Sequence, residues 1–205
     1  MVLGQTTFNG GTAGLAANRM SSPRSLHIDI HGNLYVCDHN NHRVLRFDAV
    51  RTKTTGADAD AVIGQTDFVS ASTATGAGLL RNPIGVTGDA AGRLWIADSG
   101  KHRVVRYDTP LSMAPTATPD GILGGTATLT ASGMRSPTSV AVTSSGRLWV
   151  LDYLNNRVLR FDNAASKPNA APADGVIGAP DLKSGGLSSG RTTRAFNRPQ
   201  VLFLD

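Results

Sequence analysis

The sequence predicts an all-β fold, an open arc of a β-propeller made of four-stranded antiparallel blades. Three observations predict it. One block of residues recurs three times in the same internal register. Each copy holds four short stretches of strand character separated by turn residues. The composition also disfavours helix: all 15 acidic residues are Asp, and Arg supplies 16 of the 20 basic ones, so two usual surface helix formers are absent or scarce. With 23 Gly and 10 Pro in 205 residues, turns are frequent.

The block runs Pro23 to Asp38, Pro83 to Asp98 and Pro137 to Asp152. In each copy Gly follows Pro by nine residues and Asp follows that Gly by six. Arg stands five residues on, at Arg43, Arg103 and Arg157. A second Arg, an aromatic and an Asp complete the run in Arg46-Phe47-Asp48, Arg106-Tyr107-Asp108 and Arg160-Phe161-Asp162. The distance from Pro to a closing Gly (Gly64, Gly124 or Gly178) is 41 in every copy, whereas the next stretch to Pro is 19, 13 or 21 residues. All length variation therefore lies in one connection.

The first strand of each unit is apolar, around Leu26/Ile28, Val86 or Val140/Val142. Gly32, Gly92 and Gly146 sit in the turn that follows, where a positive φ suits glycine. The second strand is Leu-Tyr-Val, Leu-Trp-Ile or Leu-Trp-Val, rich in β-branched and aromatic residues. The third, Arg-Val-Leu-Arg-Phe or a near variant, alternates with period two. The fourth is Val62-Ile63, Ile122-Leu123 or Val176-Ile177. Repeats of this length with four strands and two apolar faces close radially. The expected organisation is a preceding blade's tail at 1–22, blades at 23–82, 83–136 and 137–198, and a following blade's first strand at 199–205. The outer faces of the end blades are expected to be bare, and such patches drive association.

The pattern resembles the NHL repeat, with Asn41-His42-Arg43-Val44, Lys101-His102-Arg103-Val104 and Asn156-Arg157-Val158 carrying the likeness. The segment Val62-Ile63-Gly64-Gln65-Thr66-Asp67-Phe68 is similar to an added motif of a bacterial branch. The resemblance implies a six-bladed ring, of which this chain is slightly over half and the remaining blades of its own propeller are partners. It implies an extracellular or cell-envelope setting.

Strand parity puts the variable connection and the loop between strands two and three at one end. Variable loops on a fixed scaffold are where binding concentrates. The four connections, 5–22, 65–82, 125–136 and 179–198, hold Arg19, Arg81, Arg135, Lys183, Arg191, Arg194 and Arg198 against only Asp67 and Asp181. That excess equals the whole net charge of +5 and favours an anionic partner. Arg19, Arg81, Arg135, Arg191, Arg194 and Arg198 are the candidate ligand-binding residues. A solvated basic rim is the plainer alternative.

Asp38, Asp98 and Asp152 are expected to bond within their loops to Arg43, Arg103 and Arg157, since identity in every copy marks scaffold rather than ligand site. His39-x-x-His42 lacks the further donors of a metal site. The expectation is no catalytic set, no metal and no cofactor. Cys37 aligns with Ala97 and Leu151 as a core residue, and Trp95 and Trp149 align with Tyr35 as packing between blades. No apolar run approaches the ~18 residues of a membrane span.

The expected function is a non-catalytic binding scaffold for a protein, peptide or glycan. The resemblance offers two alternatives. One is a metal-dependent lyase or lactonase-like enzyme with its site residues in the missing half. The other is RNA binding through the basic loop face, which the scarcity of aromatics outside the strands disfavours.

Overall fold

The computed structural model describes residues 1–186 and 196–203. It contains twelve strands in three four-stranded sheets, and no α-helix is formed by the described residues. Blade one is β1 (Pro23–Ile28), β2 (Leu34–Asp38), β3 (Arg43–Phe47) and β4 (Ala61–Ile63). Blade two is β5 (Pro83–Gly88), β6 (Leu94–Asp98), β7 (Arg103–Tyr107) and β8 (Gly121–Gly124). Blade three is β9 (Pro137–Val142), β10 (Leu148–Asp152), β11 (Arg157–Phe161) and β12 (Gly175–Ile177). Each sheet is an antiparallel meander in chain order. Its innermost strand lies beside that of the next blade, β1 with β5 and β5 with β9.

The register is the same in all three blades. Asp38 pairs with Arg43, Asp98 with Arg103 and Asp152 with Arg157. At the other end Leu34 pairs with Phe47, Leu94 with Tyr107 and Leu148 with Phe161. The turn entering the second strand has φ of 78° at Gly32 and 79° at Gly92 and Gly146. A Cβ there would crowd the following carbonyl. Asp29 and Asp89 brace two of these turns by accepting backbone N–H groups two and four residues on.

Alternation along the second strand sends consecutive side chains to opposite neighbours. Tyr35 and Cys37 of blade one therefore pack with Val86, Leu94 and Ile96 of blade two. Trp95 and Ala97 of blade two pack with Val140, Leu148 and Val150 of blade three. Cys37 is fully buried, and that burial pushes its thiol pKa well above the ordinary value.

The face of blade one that was expected to be bare is largely covered. Leu34, Val36, Leu45, Phe47 and Val62 are buried with Met20, Val50 and Ala59, and Leu3 and Phe68 pack onto them. The cause is the course of residues 1–22. The Val2 carbonyl accepts from Gly56 N–H at 3.0 Å, as the Ile122 carbonyl of β8 accepts from Ala170 N–H at 2.9 Å. Residues 2–4 thus lie against blade one as β8 lies against blade three, and cap the sheet. What stays open is the inner strand. Leu26 is 64% exposed, whereas its equivalents Val86 and Val140 are 5% and 6% exposed. Residues 199–203 form no strand, and no described segment pairs with them in a sheet. They nevertheless run beside β9, with Leu202 N–H donating to Ser139 Oγ at 3.1 Å.

Candidate functional site: the loop face and channel mouth

The variable connections and the loops between second and third strands do meet at one end. Asn40 N–H donates to the Ser21 carbonyl, Gly100 N–H to that of Arg81, and Leu154 N–H to that of Arg135. Beneath them lies a repeated buried pair. Arg43, Arg103 and Arg157 donate from Nε to Oδ2 of Asp38, Asp98 and Asp152, each at 2.7 Å. All three carboxylates are wholly buried. The other oxygen of each accepts a backbone N–H from the connection: Ser21 at 2.6 Å, Arg81 at 2.7 Å and Arg135 at 2.6 Å.

The guanidinium groups then hold the connections by their carbonyls. Arg43 donates to Ala16 and Arg19 from Nη2 and to Phe68 from Nη1. Arg103 reaches Ala77 and Leu79. Arg157 reaches Thr130 and Gly133 on one side and Leu182 on the other. A guanidinium suits this task, since its planar fork has five donors and it stays charged when buried. Carbonyls accept these bonds whatever the side chains are, so the connections are free to differ in length and sequence.

A second repeated contact ties each blade to the next. Asn82 N–H donates to His42 Nδ1 and Ser136 N–H to His102 Nδ1, both at 3.1 Å, and Arg198 N–H donates to Asn156 Oδ1 at 2.8 Å. Imidazole Nδ1 and amide Oδ1 stand at the same place relative to Cβ, so either residue serves. All three acceptors are left-handed, with φ between 53° and 57°. Sequence reasoning placed His42 and His102 in the repeat but assigned them no contact. The signal was present in the set His, His, Asn at one repeat position. Burial, helped by the positive charges of His39 and Arg81, lowers the pKa of His42.

The candidate arginines divide. Arg81 and Arg135 stand two residues before Pro83 and Pro137, are exposed, and are equivalent to each other. Arg198 is exposed one residue before Pro199. None of the three enters an ion pair with a described residue. Arg135 and Arg198 line one cavity of about 560 Å³ with Leu154, Asn156 and Asn197, a set with no carboxylate. Arg19 is placed differently: four residues before Pro23, half-buried, with Nη1 donating to the Thr12 carbonyl at 3.3 Å. Arg191 and Arg194 lie outside the described residues.

The residues just after each prolyl position line a second cavity, of about 510 Å³, between the inner strands. Arg24, Ile84, Thr138 and Gln200 come from four successive units, and Tyr153 adds a phenol from the loop face. Thr138 Oγ1 is buried with no hydrogen-bond partner. A metal here would require imidazole or carboxylate donors. These residues supply a guanidinium, hydroxyls and an amide instead, so they do not fit one. Among the described residues no three His, Cys, Asp or Glu side chains are grouped to hold a metal ion.

Comparison with known proteins places this architecture. The NHL repeat matches residues 80–107 and 134–161. A probable peptidyl-alpha-hydroxyglycine alpha-amidating lyase of Caenorhabditis elegans is 34% identical over 100 residues, which are 47% of this chain and 28% of that protein. The chain thus spans under a third of that relative's length. The hydrazine synthase of Kuenenia stuttgartiensis superposes with a TM-score of 0.55 at 10% identity, over 95% of this chain and 41% of that one, a likeness of fold alone. A chain of a nidogen/laminin complex gives a TM-score of 0.45 at 22% identity, over 77% of this chain and 47% of that one. The chain thus carries NHL repeats in its second and third blades within a β-propeller fold, and its first blade has the same residue pattern.

Proposed function

We propose that the protein is a binding scaffold whose loop face takes an anionic partner, a protein, peptide or glycan. The observation that carries this reading is the cavity shared by Arg135 and Arg198, whose described lining has guanidinium groups and no carboxylate. Arg81 extends the same charge to the preceding junction. Unpaired guanidinium groups at a concave site favour carboxylate, sulfate or phosphate groups, which accept two parallel hydrogen bonds. The test is titration with an acidic peptide and with a sulfated oligosaccharide at low and physiological salt. Binding that weakens with salt and falls at least tenfold in an Arg81→Ala/Arg135→Ala/Arg198→Ala variant supports the reading. Binding indifferent to these substitutions overturns it.

A second reading has one specific support, the 34% identity to a probable amidating lyase. On that reading the chain is part of a lyase whose donor residues lie on other blades. The discriminating measurement is release of glyoxylate from a peptidyl-α-hydroxyglycine substrate, with and without added divalent metal. Turnover that a chelator abolishes would replace the scaffold reading.

A further inference from the structure

The end of the propeller opposite the loop face holds a cavity of about 500 Å³ between blades one and two. Its walls are apolar, with Ile28, Ile30, Leu94 and Leu111. His27 and Tyr35 form part of its lining, their rings stacked with centroids 6.4 Å apart. The junction of blades two and three is built differently at the matching positions. The register sets His27 opposite Tyr35 and Thr87 opposite Trp95. It also sets Gly88 opposite Leu94 and Val142 opposite Leu148. At the second junction the larger Trp95 and the Val142 side chain pack into the core. At the first, Gly88 has no side chain, and a Cβ there would stand 2.4 Å from His27 Nε2. His27 and Gly88 are therefore a matched pair peculiar to this junction.

The His27 ring makes no hydrogen bond to another described residue. Burial lowers its pKa against the opposing pull of Asp29, which favours the neutral ring, with one donor and one acceptor. Of the charged residues around the cavity, Asp29, Asp89 and Asp108 outnumber Arg93, and the Arg93 guanidinium is held by Asp89 at 2.7 Å. Asp108 is itself paired with Arg106 at 2.6 Å, through both oxygens, but its carboxylate stays 40% exposed. An anion is disfavoured in such a lining, and an amine with an apolar body is matched by it.

We propose that this cavity is a second binding site, for a small hydrophobic amine, separate from the loop face. The apolar body lies against the Ile28, Leu94 and Leu111 walls, and the amine donates to the exposed carboxylate edge or to the free acceptor of His27. Two isosteric probes test it: phenethylamine and phenylacetate, which differ in the sign of charge. Titration is followed by calorimetry and by the imidazole C–H resonances, with those of His27 identified by their loss in His27→Thr. Phenethylamine is expected to shift the His27 resonances and saturate, and phenylacetate to bind at least tenfold more weakly. The double variant His27→Thr/Gly88→Val rebuilds this junction in the pattern of the other, relieving the clash a side chain at 88 would meet. It is expected to fold with an unchanged circular dichroism spectrum and to bind phenethylamine at least tenfold more weakly. Equal binding of the two probes, unmoved His27 resonances, or full binding by the double variant overturns the proposal.

Discussion

Arg157 and Arg135 meet the same carboxylate in opposite ways. Arg157 points its guanidinium inward to Asp152 Oδ2, and Arg135 offers only its backbone N–H to Oδ1. Arg157 is fully buried with five hydrogen bonds, whereas the Arg135 side chain is exposed and makes no ion pair with a described residue. One end of one blade thus contains a buried polar frame and an exposed basic rim, joined through Asp152. The Asp–Arg pair and the backbone N–H donor to its carboxylate repeat in all three blades. The rim varies, with Ser21 and Asn197 at the position that Arg81 and Arg135 occupy elsewhere. Since the frame grips only backbone, the rim side chains are free for a partner.

The largest effect that would break this comparison is expected at the frame. Asp152→Ala leaves the Arg157 guanidinium buried and unpaired and frees Arg135 N–H. Loss of one partner of a buried pair costs roughly 3–5 kcal/mol, and denaturant unfolding should report that order of loss.

A smaller loss is expected at the glycine that closes the first blade's 41-residue interval. Gly64 has a φ of +89°, and an added Cβ would lie 2.4 Å from Leu80 Cγ. Gly64→Ala should cost more than about 1 kcal/mol, read in the same unfolding curves. Gly32→Ala has the same backbone penalty without a clash, since nothing stands within 4 Å of its Cβ position, and should cost less.

The junction acceptors sharpen the comparison further. His42→Leu orphans Asn82 N–H and should cost about 1–3 kcal/mol, whereas His42→Asn, copying Asn156, should cost little. The sign of the pH effect follows from burial. With its folded pKa below the ordinary 6.5, His42 takes up a proton more readily in the unfolded chain. Its contribution is therefore intact above pH 6.5 and declines as the pH falls through that value toward the folded pKa. Melting temperatures between pH 7.5 and 5 should fall less steeply in His42→Asn than in the parent chain.

The smallest stability effect belongs to the rim. Arg135→Ala and Arg198→Ala are expected to change stability by no more than about 0.5 kcal/mol while weakening anion binding. A large stability loss there would show that the rim is part of the frame.

Much of this molecule was legible in the chain because repetition turns one local pattern into three independent readings. The constant 41-residue interval, the strand alternation and the turn glycines define blade register, since side-chain period and backbone φ are local properties. The equal Asp-to-Arg spacing likewise identified a pair opposite one another across a tight loop. Four matters were decided only by tertiary structure, because each depends on which segment arrives from far along the chain. Residues 2–4 cap blade one, so that its outer face is buried apart from the inner strand. Arg19 shares its charge with Arg81 and Arg135 but not their position, so its guanidinium turns back on its own connection. The His42 and His102 acceptors meet donors 40 and 34 residues away. The His27 ring beside the cavity finds room because Gly88, on the next blade, lacks the side chain that Val142 supplies one junction later. Composition and spacing specify what each blade is; how two blades fill the space between them depends on paired choices at separate positions, and no single repeat unit contains both.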